Sequence, residues 1–183
     1  MLQTERLRLE PFAARHAAGL LAYYDRNREH LERWEPAREP NFYTEQFFGD
    51  ECEQAIAAAE RGQYVRFAVF EKDGDTVIAV FNLWEIRRRV VSSVILGYSL
   101  DAQYQGRGYA TEAGEAVVRY AFDVLGLHRV EAAYQPTNER SGRVLRRLGF
   151  TVFGYQRDLL NFGNGWLDHV MTSRLNDAWR RAP

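Results

Sequence analysis

The chain has 183 residues, a formal net charge of −1 and a hydrophobic fraction of 46%. This length is typical of one domain, here residues 1–183, and the apolar content argues against a disordered chain. The balanced charge argues against binding of bare nucleic acid through bulk charge, and one cysteine, Cys52, excludes an intramolecular disulfide.

The first third of the chain predicts one strand and two helices. Residues 6–11 alternate polar and apolar side chains, as a short strand does. Residues 13–27 carry Ala, Leu and Tyr at helical spacing, and residues 44–61 predict a second helix that ends at Gly62. The proline-containing segment 32–43 between them indicates a loop. In the second helix, the apolar neighbours of Cys52 predict a buried thiol rather than a nucleophile.

The rest of the chain alternates strands with two helices. An Asp-Gly turn at residues 72–75 predicts a hairpin. From Ala110 to Leu125, apolar residues recur on one helical face. The predicted strands are 65–71, 76–86, 90–100, 129–134, 150–160 and 166–175; a short helix covers 138–148, and the last two strands form a hairpin around 161–165. This order predicts a mixed sheet with helices, of the α/β or α+β class. We expect a cytoplasmic protein, because residues 1–6 do not begin a signal peptide and no apolar run reaches a membrane-spanning length.

The most informative segment is a glycine-rich turn at residues 100–112, which joins a strand to the most periodic helix. Gly106 and Gly108 have no Cβ, so several backbone N–H groups can point into one concavity. The N-terminus of the following helix adds unpaired donors and about half a positive charge. Together these features predict a cradle for a phosphate or pyrophosphate.

Other phosphate-binding turns fit this segment less well. A Walker loop requires Gly-Lys, which occurs nowhere in the chain. A dinucleotide fingerprint requires a third glycine where Thr111 stands, which disfavours a Rossmann-type oxidoreductase. The two glycines by themselves are also compatible with a turn that only reverses the direction of the chain.

Two blocks of residues carry a family resemblance. The pattern Gln103-x-x-Gly106-x-Gly108 resembles the acetyl-CoA loop of the GNAT superfamily of N-acetyltransferases. The pattern Asn138-x-x-Ser141-x-x-Val144-Leu145-x-x-Leu148-Gly149-Phe150 resembles the second block of that superfamily. Over essentially the whole chain the sequence is similar to the RimJ/RimL branch, the ribosomal-protein alanine N-acetyltransferases. Segments that carry this similarity are residues 4–9, 27–36, 96–99, 128–129, 138–142 and 166–170.

The resemblance implies a GNAT fold, with a mixed, mostly antiparallel twisted sheet of about seven strands and about four helices. It implies acetyl-CoA as cosubstrate, no metal, and direct attack of an amine on the thioester. A backbone N–H on the strand ending at Leu100 would stabilise the developing oxyanion. The residues it assigns to the cofactor are Tyr98, Ser99, Leu100, Gln103, Gln105, Gly106, Arg107, Gly108, Tyr109, Ala110, Asn138 and Ser141.

The resemblance also implies roles for single side chains. Asn138 would hold the pantetheine arm and Ser141 would protonate the leaving thiolate. From position alone, Asn138 is a helix N-cap and Ser141 a first-turn residue. For the general base we favour Glu35, in the loop that resembles the acceptor side; Glu85, at the end of a strand, and Asp158 are the other candidates. Asp158 lies on the strand where RimL-type enzymes carry a carboxylate two positions later, but Leu160 stands at that place here.

The resemblance also implies the acceptor, which is the N-terminal α-amine of a protein, an alanine of a small-subunit ribosomal protein. An α-amine has a pKa of roughly 7.7–8.0, so deprotonating it at pH 7 costs about 1 kcal/mol, against about 4–5 kcal/mol for lysine. The lack of an obvious base therefore favours the α-amine. Trp34, Glu35 and Tyr43 would line the acceptor groove, although Trp34 and Tyr43 are equally compatible with the core.

Two alternatives remain at this point. A small-molecule N-acetyltransferase, acting on a polyamine, aminoglycoside or amino acid, would share every cofactor residue. A non-catalytic acyl-CoA-binding protein would keep the same turn. The four histidines share no ligand spacing, so we expect no metal site. We expect a monomer or homodimer that contacts neither nucleic acid nor membrane directly.

Overall fold

The computed structural model describes residues 1–163 and 165–181. One eight-stranded sheet runs through it in the order β1-β2-β3-β4-β5-β6-β8-β7. The strands are β1 (Leu2–Gln3), β2 (Leu7–Pro11), β3 (Val65–Glu71), β4 (Ala79–Arg87), β5 (Ser93–Leu100), β6 (Arg129–Tyr134), β7 (Thr151–Asn161) and β8 (Trp166–Leu175). The helices are α1 (Ala17–Arg26), α2 (Arg28–Leu31), α3 (Glu45–Glu60), α4 (Tyr109–Arg119) and α5 (Glu139–Arg147).

The sheet is mixed and mostly antiparallel, as expected. Among the strands of the described residues, only β5 and β6 pair in parallel; every other neighbouring pair is antiparallel. The sequence missed two short elements, β1 and α2. Neither is long enough to produce a recognisable hydrophobic period.

Two strand starts and one turn differ from the predictions. β4 begins at Ala79 rather than 76, so the Asp-Gly dipeptide lies in a seven-residue connection, 72–78, instead of a tight turn. Gly74 does not have the positive φ that a two-residue type I′ turn needs. β5 begins at Ser93 rather than 90, because Arg89 and Ser92 have φ values of 62° and 42° and turn the chain there. Asn164, in the predicted 161–165 turn, lies outside the described residues.

Helices cover both faces of the sheet. Strand residues such as Phe67, Phe81 and Leu96 face α4, whose Val117 and Val118 are completely buried. The alternate residues face α1 and α3; this second core cluster consists of Phe12, Ala17, Leu20, Tyr23, Tyr24, Leu31, Phe42, Phe48, Cys52, Ala55, Ala68, Phe70, Val77 and Val80. The period of two along each strand thus divides the apolar residues between two cores.

The predicted helix 110–125 is confirmed, with one irregularity. α4 continues as a π-helical turn over Tyr120–Val124, in which the backbone N–H of Leu125 donates to Tyr120 O at 3.1 Å. Within the described residues, no helix combines the length and apolarity needed to cross a membrane.

The sheet splits in its middle. β5 pairs with β6 only from Ser93↔Arg129 to Ile95↔Glu131, although both strands continue beyond that point. Residues 96–100 stay paired with β4, whereas residues 132–134 stay paired with β8. A gap therefore opens between the two strands towards the glycine turn.

Candidate active site

The glycine turn presents a row of free backbone donors. Gly106 and Gly108 have φ values of 77° and 83°, a left-handed conformation that side chains disfavour. Gly108 is also the N-cap of α4. The backbone N–H groups of residues 106–110 have no hydrogen-bond partner among the described residues. A site with these donors at a helix N-terminus favours an anion.

A buried carboxylate fixes the start of this turn. Asp101 accepts from the backbone N–H of Gln103 at 2.9 Å and from Arg26 Nε at 2.6 Å. Burial alone would raise the pKa of Asp101, but contacts with Asn27, Gln103 and Arg26 hold it below its usual value. Asn27, itself buried, accepts from the backbone N–H of Ala102 at 3.0 Å. The turn is therefore tied to α1 before its glycines are reached.

Side chains bridge the gap on the α4 side. The Tyr98 hydroxyl, from β5, lies 2.9 Å from Ser141 Oγ and 3.3 Å from Ser141 O, on α5. The Tyr98 ring stacks on Phe81 with centroids 5.3 Å apart. Burial raises the pKa of Tyr98 to about 12, so its hydroxyl is protonated at neutral pH.

Asn138 is the N-cap of α5, as its position alone suggested. Its Oδ1 accepts from the backbone N–H of Ser141 at 3.1 Å. Its Nδ2 makes no hydrogen bond to a described residue. The cap uses only the acceptor of this amide, and the donor remains available for a ligand in the gap.

Several residues of the predicted cofactor set use their hydrogen-bonding groups within the protein. The backbone N–H groups of Gln103 and Gln105 bond to Asp101 and Ala102, and the Tyr109 hydroxyl donates to Glu71 at 2.7 Å. The Ser99 hydroxyl accepts from Tyr23 at 3.0 Å. These residues can still contact a ligand, Gln103 through its exposed side chain and Tyr109 through its backbone.

Gln105 ties the turn to two helices at once. Its Nε2 lies 2.8 Å from His30 Nε2 on α2, and its Oε1 accepts from Arg140 on α5. The contact with Arg140 passes from the end of β5 to the helix that follows β6. It therefore spans the open end of the gap.

The predicted acceptor residues follow α2, on the other face of the sheet. Glu35 forms an ion pair with Arg38, so it is not a free carboxylate in this structure. The Tyr43 ring is half-buried under Arg28, whose Cζ lies 3.7 Å from the ring centroid. Trp34 is half-buried and follows the last turn of α2, and its backbone N–H donates to Leu31 O.

This acceptor-side loop meets the final hairpin. A Cβ built on Gly163 would lie 2.9 Å from the Cβ of Ala37. Near the hairpin, Asp168 accepts from the Tyr155 hydroxyl at 2.6 Å and from the backbone N–H of Asp158 at 2.9 Å. The carboxylate of Asp168, like that of Glu35, is therefore already engaged within the protein.

The remaining carboxylate candidates differ in their surroundings. Glu85 and Asp158 are exposed, and both have left-handed φ, 50° and 49°, at irregularities in β4 and β7. Glu131 was missed by the sequence. It stands opposite Ile95 in the last paired row before the gap, and Arg87 Nη2 donates to it at 3.2 Å. Because Val130 and Ala132 face the α4 core, Glu131 faces the acceptor side.

A weak sequence signal existed for some missed residues. Asp101 precedes a short 3₁₀ turn, Ala102–Tyr104, as an N-cap, which is a common position for aspartate. Nothing local marks Glu131, because its partner Arg87 lies dozens of residues away, and the same holds for the contact of Asn27 with Ala102.

The residues of the gap and turn fit coenzyme A. Free N–H donors at residues 106–110 suit a pyrophosphate, and the unpaired edges of β5 and β6 suit an amide-bearing chain such as pantetheine. The described residues contain no group of three or more His, Cys, Asp and Glu side chains arranged to hold a metal ion.

Comparison with known proteins agrees with this site. Residues 6–151 match the family model described as acetyltransferase (GNAT) domain. The chain is 34% identical over 178 residues to the [ribosomal protein uS5]-alanine N-acetyltransferase of Escherichia coli, covering 97% of this chain and 92% of that protein.

Solved structures give the same result. The ribosomal-protein-S5-alanine acetyltransferase of Vibrio fischeri superposes with a TM-score of 0.93 and 32% identity, over 100% of this chain and 98% of that one. RimJ of Mycobacterium smegmatis, in complex with CoA-disulfide, shares the fold with a TM-score of 0.89 at 24% identity, over 96% of this chain and 85% of that one. With a family model that spans most of its length and a relative similar over nearly all of it, the chain belongs to the GNAT acetyltransferases.

Proposed function

We propose that this acetyltransferase uses acetyl-CoA to acetylate the N-terminal α-amine of a protein, an alanine of a small-subunit ribosomal protein. The row of free N–H groups at residues 106–110, beside the gap between β5 and β6, is the observation that carries the cofactor assignment. The relatives from E. coli and V. fischeri, which are named for that acceptor, support the substrate.

Each predicted cofactor residue has a part in this proposal. The N–H groups of Gly106, Arg107, Gly108, Tyr109 and Ala110 would hold the pyrophosphate. Tyr98, Ser99 and Leu100 would line the pantetheine arm, and Asn138 Nδ2 would donate to it. Gln103 and Gln105 would contact the ligand through their side chains.

Acetyl-CoA, when bound, supplies an acetyl group activated as a thioester. The protein must align the amine, stabilise negative charge on the carbonyl oxygen and move two protons. Ser141 would give a proton to the departing thiolate and regain one from solvent, and the neutral Tyr98 hydroxyl would hold the Ser141 hydroxyl in place by their hydrogen bond. Glu35 would take the proton from the amine once Arg38 is displaced; Glu131, at the closed end of the gap, is the second candidate.

Two acceptor-side carboxylates, Glu35 and Asp168, are engaged within the protein, which favours a protein N-terminus over a polycation. A polyamine or aminoglycoside site needs several free carboxylates. Here Glu35 is paired with Arg38, and Asp168 accepts two hydrogen bonds. An α-amine needs only one weak base, since it loses its proton near pH 8. Trp34 and Tyr43 would provide the walls for the first residues of the acceptor.

The test is acetyl-CoA turnover, measured as thiol release, on a panel of acceptors. The panel contains Ala- and Ser-starting peptides with free N-termini, the same peptides N-blocked and bearing a lysine, spermidine and an aminoglycoside. We expect turnover with free N-termini only. Glu35→Gln and Glu131→Gln then distinguish the bases, because the true base variant loses kcat while coenzyme A affinity is kept.

Other outcomes would contradict the proposal in different ways. Turnover with spermidine alone would assign a small-molecule acceptor. Coenzyme A binding without turnover on any acceptor would favour the non-catalytic alternative, and a chain that binds no coenzyme A would overturn the cofactor assignment as well.

A further inference from the structure

The N-terminal segment is fastened to the first turn of α4. Glu112 Oε1 accepts from the Thr4 hydroxyl at 2.6 Å and from the backbone N–H of Arg6 at 2.9 Å. Glu112 Oε2 accepts from Arg6 Nε at 2.7 Å and lies 2.5 Å from Nη2. One carboxylate therefore satisfies four donors from a segment more than a hundred residues away, and its side chain is only 18% exposed.

The guanidinium of Arg6 reaches the glycine turn itself. Its Nη1 donates to the backbone carbonyl of Arg107 at 3.0 Å. Its Cζ lies 4.6 Å from the centroid of the Tyr109 ring, and Nη2 would be 3.4 Å from a Cβ on Gly108. Arg6 thus contacts Arg107 and Tyr109 and lies beside Gly108, at the start of α4.

The contact with the Arg107 carbonyl fixes the direction of the next N–H. The described residues contain no cis peptide bond, and in a trans peptide the carbonyl and the following N–H point in opposite directions. A carbonyl of Arg107 held towards Arg6 therefore turns the Gly108 N–H away from it. That N–H is one of the free donors of the turn.

Without the contact from Arg6, the plane of the Arg107–Gly108 peptide could flip easily. Glycine at 108 permits both signs of φ, so without an external contact the Arg107–Gly108 peptide can reverse. A binding site with donors already in position avoids the ordering cost that a mobile loop has to overcome.

We propose that Arg6, held in place by Glu112 and Thr4, is a positioning residue that orients the Arg107–Gly108 peptide and so preforms the pyrophosphate site. This inference rests on the proposed function, because it takes the glycine turn as the pyrophosphate site. It assigns a role in cofactor affinity to the Thr4-Glu5-Arg6 segment, which connects β1 to β2.

The test compares two donors, acetyl-CoA and S-acetylpantetheine, which lacks the pyrophosphate. In Arg6→Ala we expect the Kd of coenzyme A, measured by calorimetry, and the KM of acetyl-CoA to rise roughly tenfold. The kcat/KM of S-acetylpantetheine should stay at the wild-type value. Glu112→Gln should give the same pattern, and the double variant should be no worse than Arg6→Ala, because both act through one contact.

The control is Arg119→Ala, which removes an exposed arginine, ion-paired to Glu115, from the other end of α4. This variant should leave the Kd of coenzyme A and the kinetic constants of both acetyl donors at their wild-type values. An unchanged Kd of coenzyme A in Arg6→Ala, or an equal loss on both donors, would overturn the inference. If wild-type protein fails to bind coenzyme A, the proposed function itself fails, and the two results are thus distinguishable.

Discussion

Single side chains around the gap divide their hydrogen-bonding groups between the fold and the open space. Asn138 caps α5 with its oxygen and keeps its N–H groups free. Ser141 shares its hydroxyl with Tyr98, whose ring is anchored on Phe81. A residue that also supports the fold is held in one orientation, which a catalytic or binding group requires.

The ionisation of Tyr98 sets a pH limit on this arrangement. Burial raises the pKa of Tyr98 to about 12, above the usual value near 10. Because the folded-state pKa is the higher one, the contribution to stability is complete below about pH 10 and is lost as pH rises towards 12. Tyr98 therefore stays a neutral hydrogen-bonding partner of Ser141 throughout the range in which the α-amine loses its proton.

Removing the proposed acid tests this arrangement directly. At saturating acetyl-CoA and acceptor, we expect Ser141→Ala to lower kcat roughly 10²-fold, without a comparable loss of coenzyme A affinity. Tyr98→Phe should cost less, because Ser141 keeps its own proton. Steady-state kinetics with calorimetry measure both; full turnover by Ser141→Ala would end its assignment as the acid.

At the level of elements, two helices contain an interior glycine, and the space around each glycine differs. Gly114 lies in α4 against α5's end, where a Cβ would be 2.7 Å from Leu148 Cδ1. Gly49 lies in α3 with nothing within 4 Å of such a Cβ. Gly114 allows the close approach of two elements that carry the cofactor-side residues, whereas Gly49 has no such function.

Alanine at these two positions should therefore act in opposite directions. Gly49→Ala should stabilise the protein by up to about 1 kcal/mol through helix propensity. Gly114→Ala should destabilise it by about 1 kcal/mol, since overpacking against the buried Leu148 outweighs the same gain. Urea unfolding of both variants measures this difference; stabilisation by Gly114→Ala would mean that Leu148 yields without cost.

The whole molecule consists of a sheet between two helical layers, interrupted by one gap. Helices on both faces bury the strands, so the backbone edges of β5 and β6 are left unpaired only where the strands diverge. The glycine turn closes the end of that gap, and Gln105 connects it to α2 and α5. The candidate site thus lies where all three layers meet.

The second core also determines how the cysteine behaves. Cys52 is fully buried, and burial raises the pKa of its thiol to about 11. We expect a disulfide reagent such as DTNB at pH 8 to leave the native protein unlabelled and to modify one thiol per chain in denaturant. Rapid labelling of native protein would contradict the burial of Cys52 and would add background to the thiol-release assay.

The sequence by itself determined the order of the longer elements and the location of the glycine turn. Those signals are local: the period of the helix 110–125, the alternation in strands such as 129–134, and the spacing of Gly106 and Gly108. The resemblance of two short blocks to the GNAT superfamily also predicted the fold. A family pattern carries information about long-range contacts that the periodicity of one sequence does not.

Only the tertiary structure decided which side chains meet. The gap between β5 and β6 and the contacts of Arg6 with Glu112 and Arg107 depend on segments far apart in the chain. No local period encodes such contacts, since each depends on how several layers pack together. For the same reason, Glu131 and the contact of Asn27 with Ala102 became visible only in the folded chain.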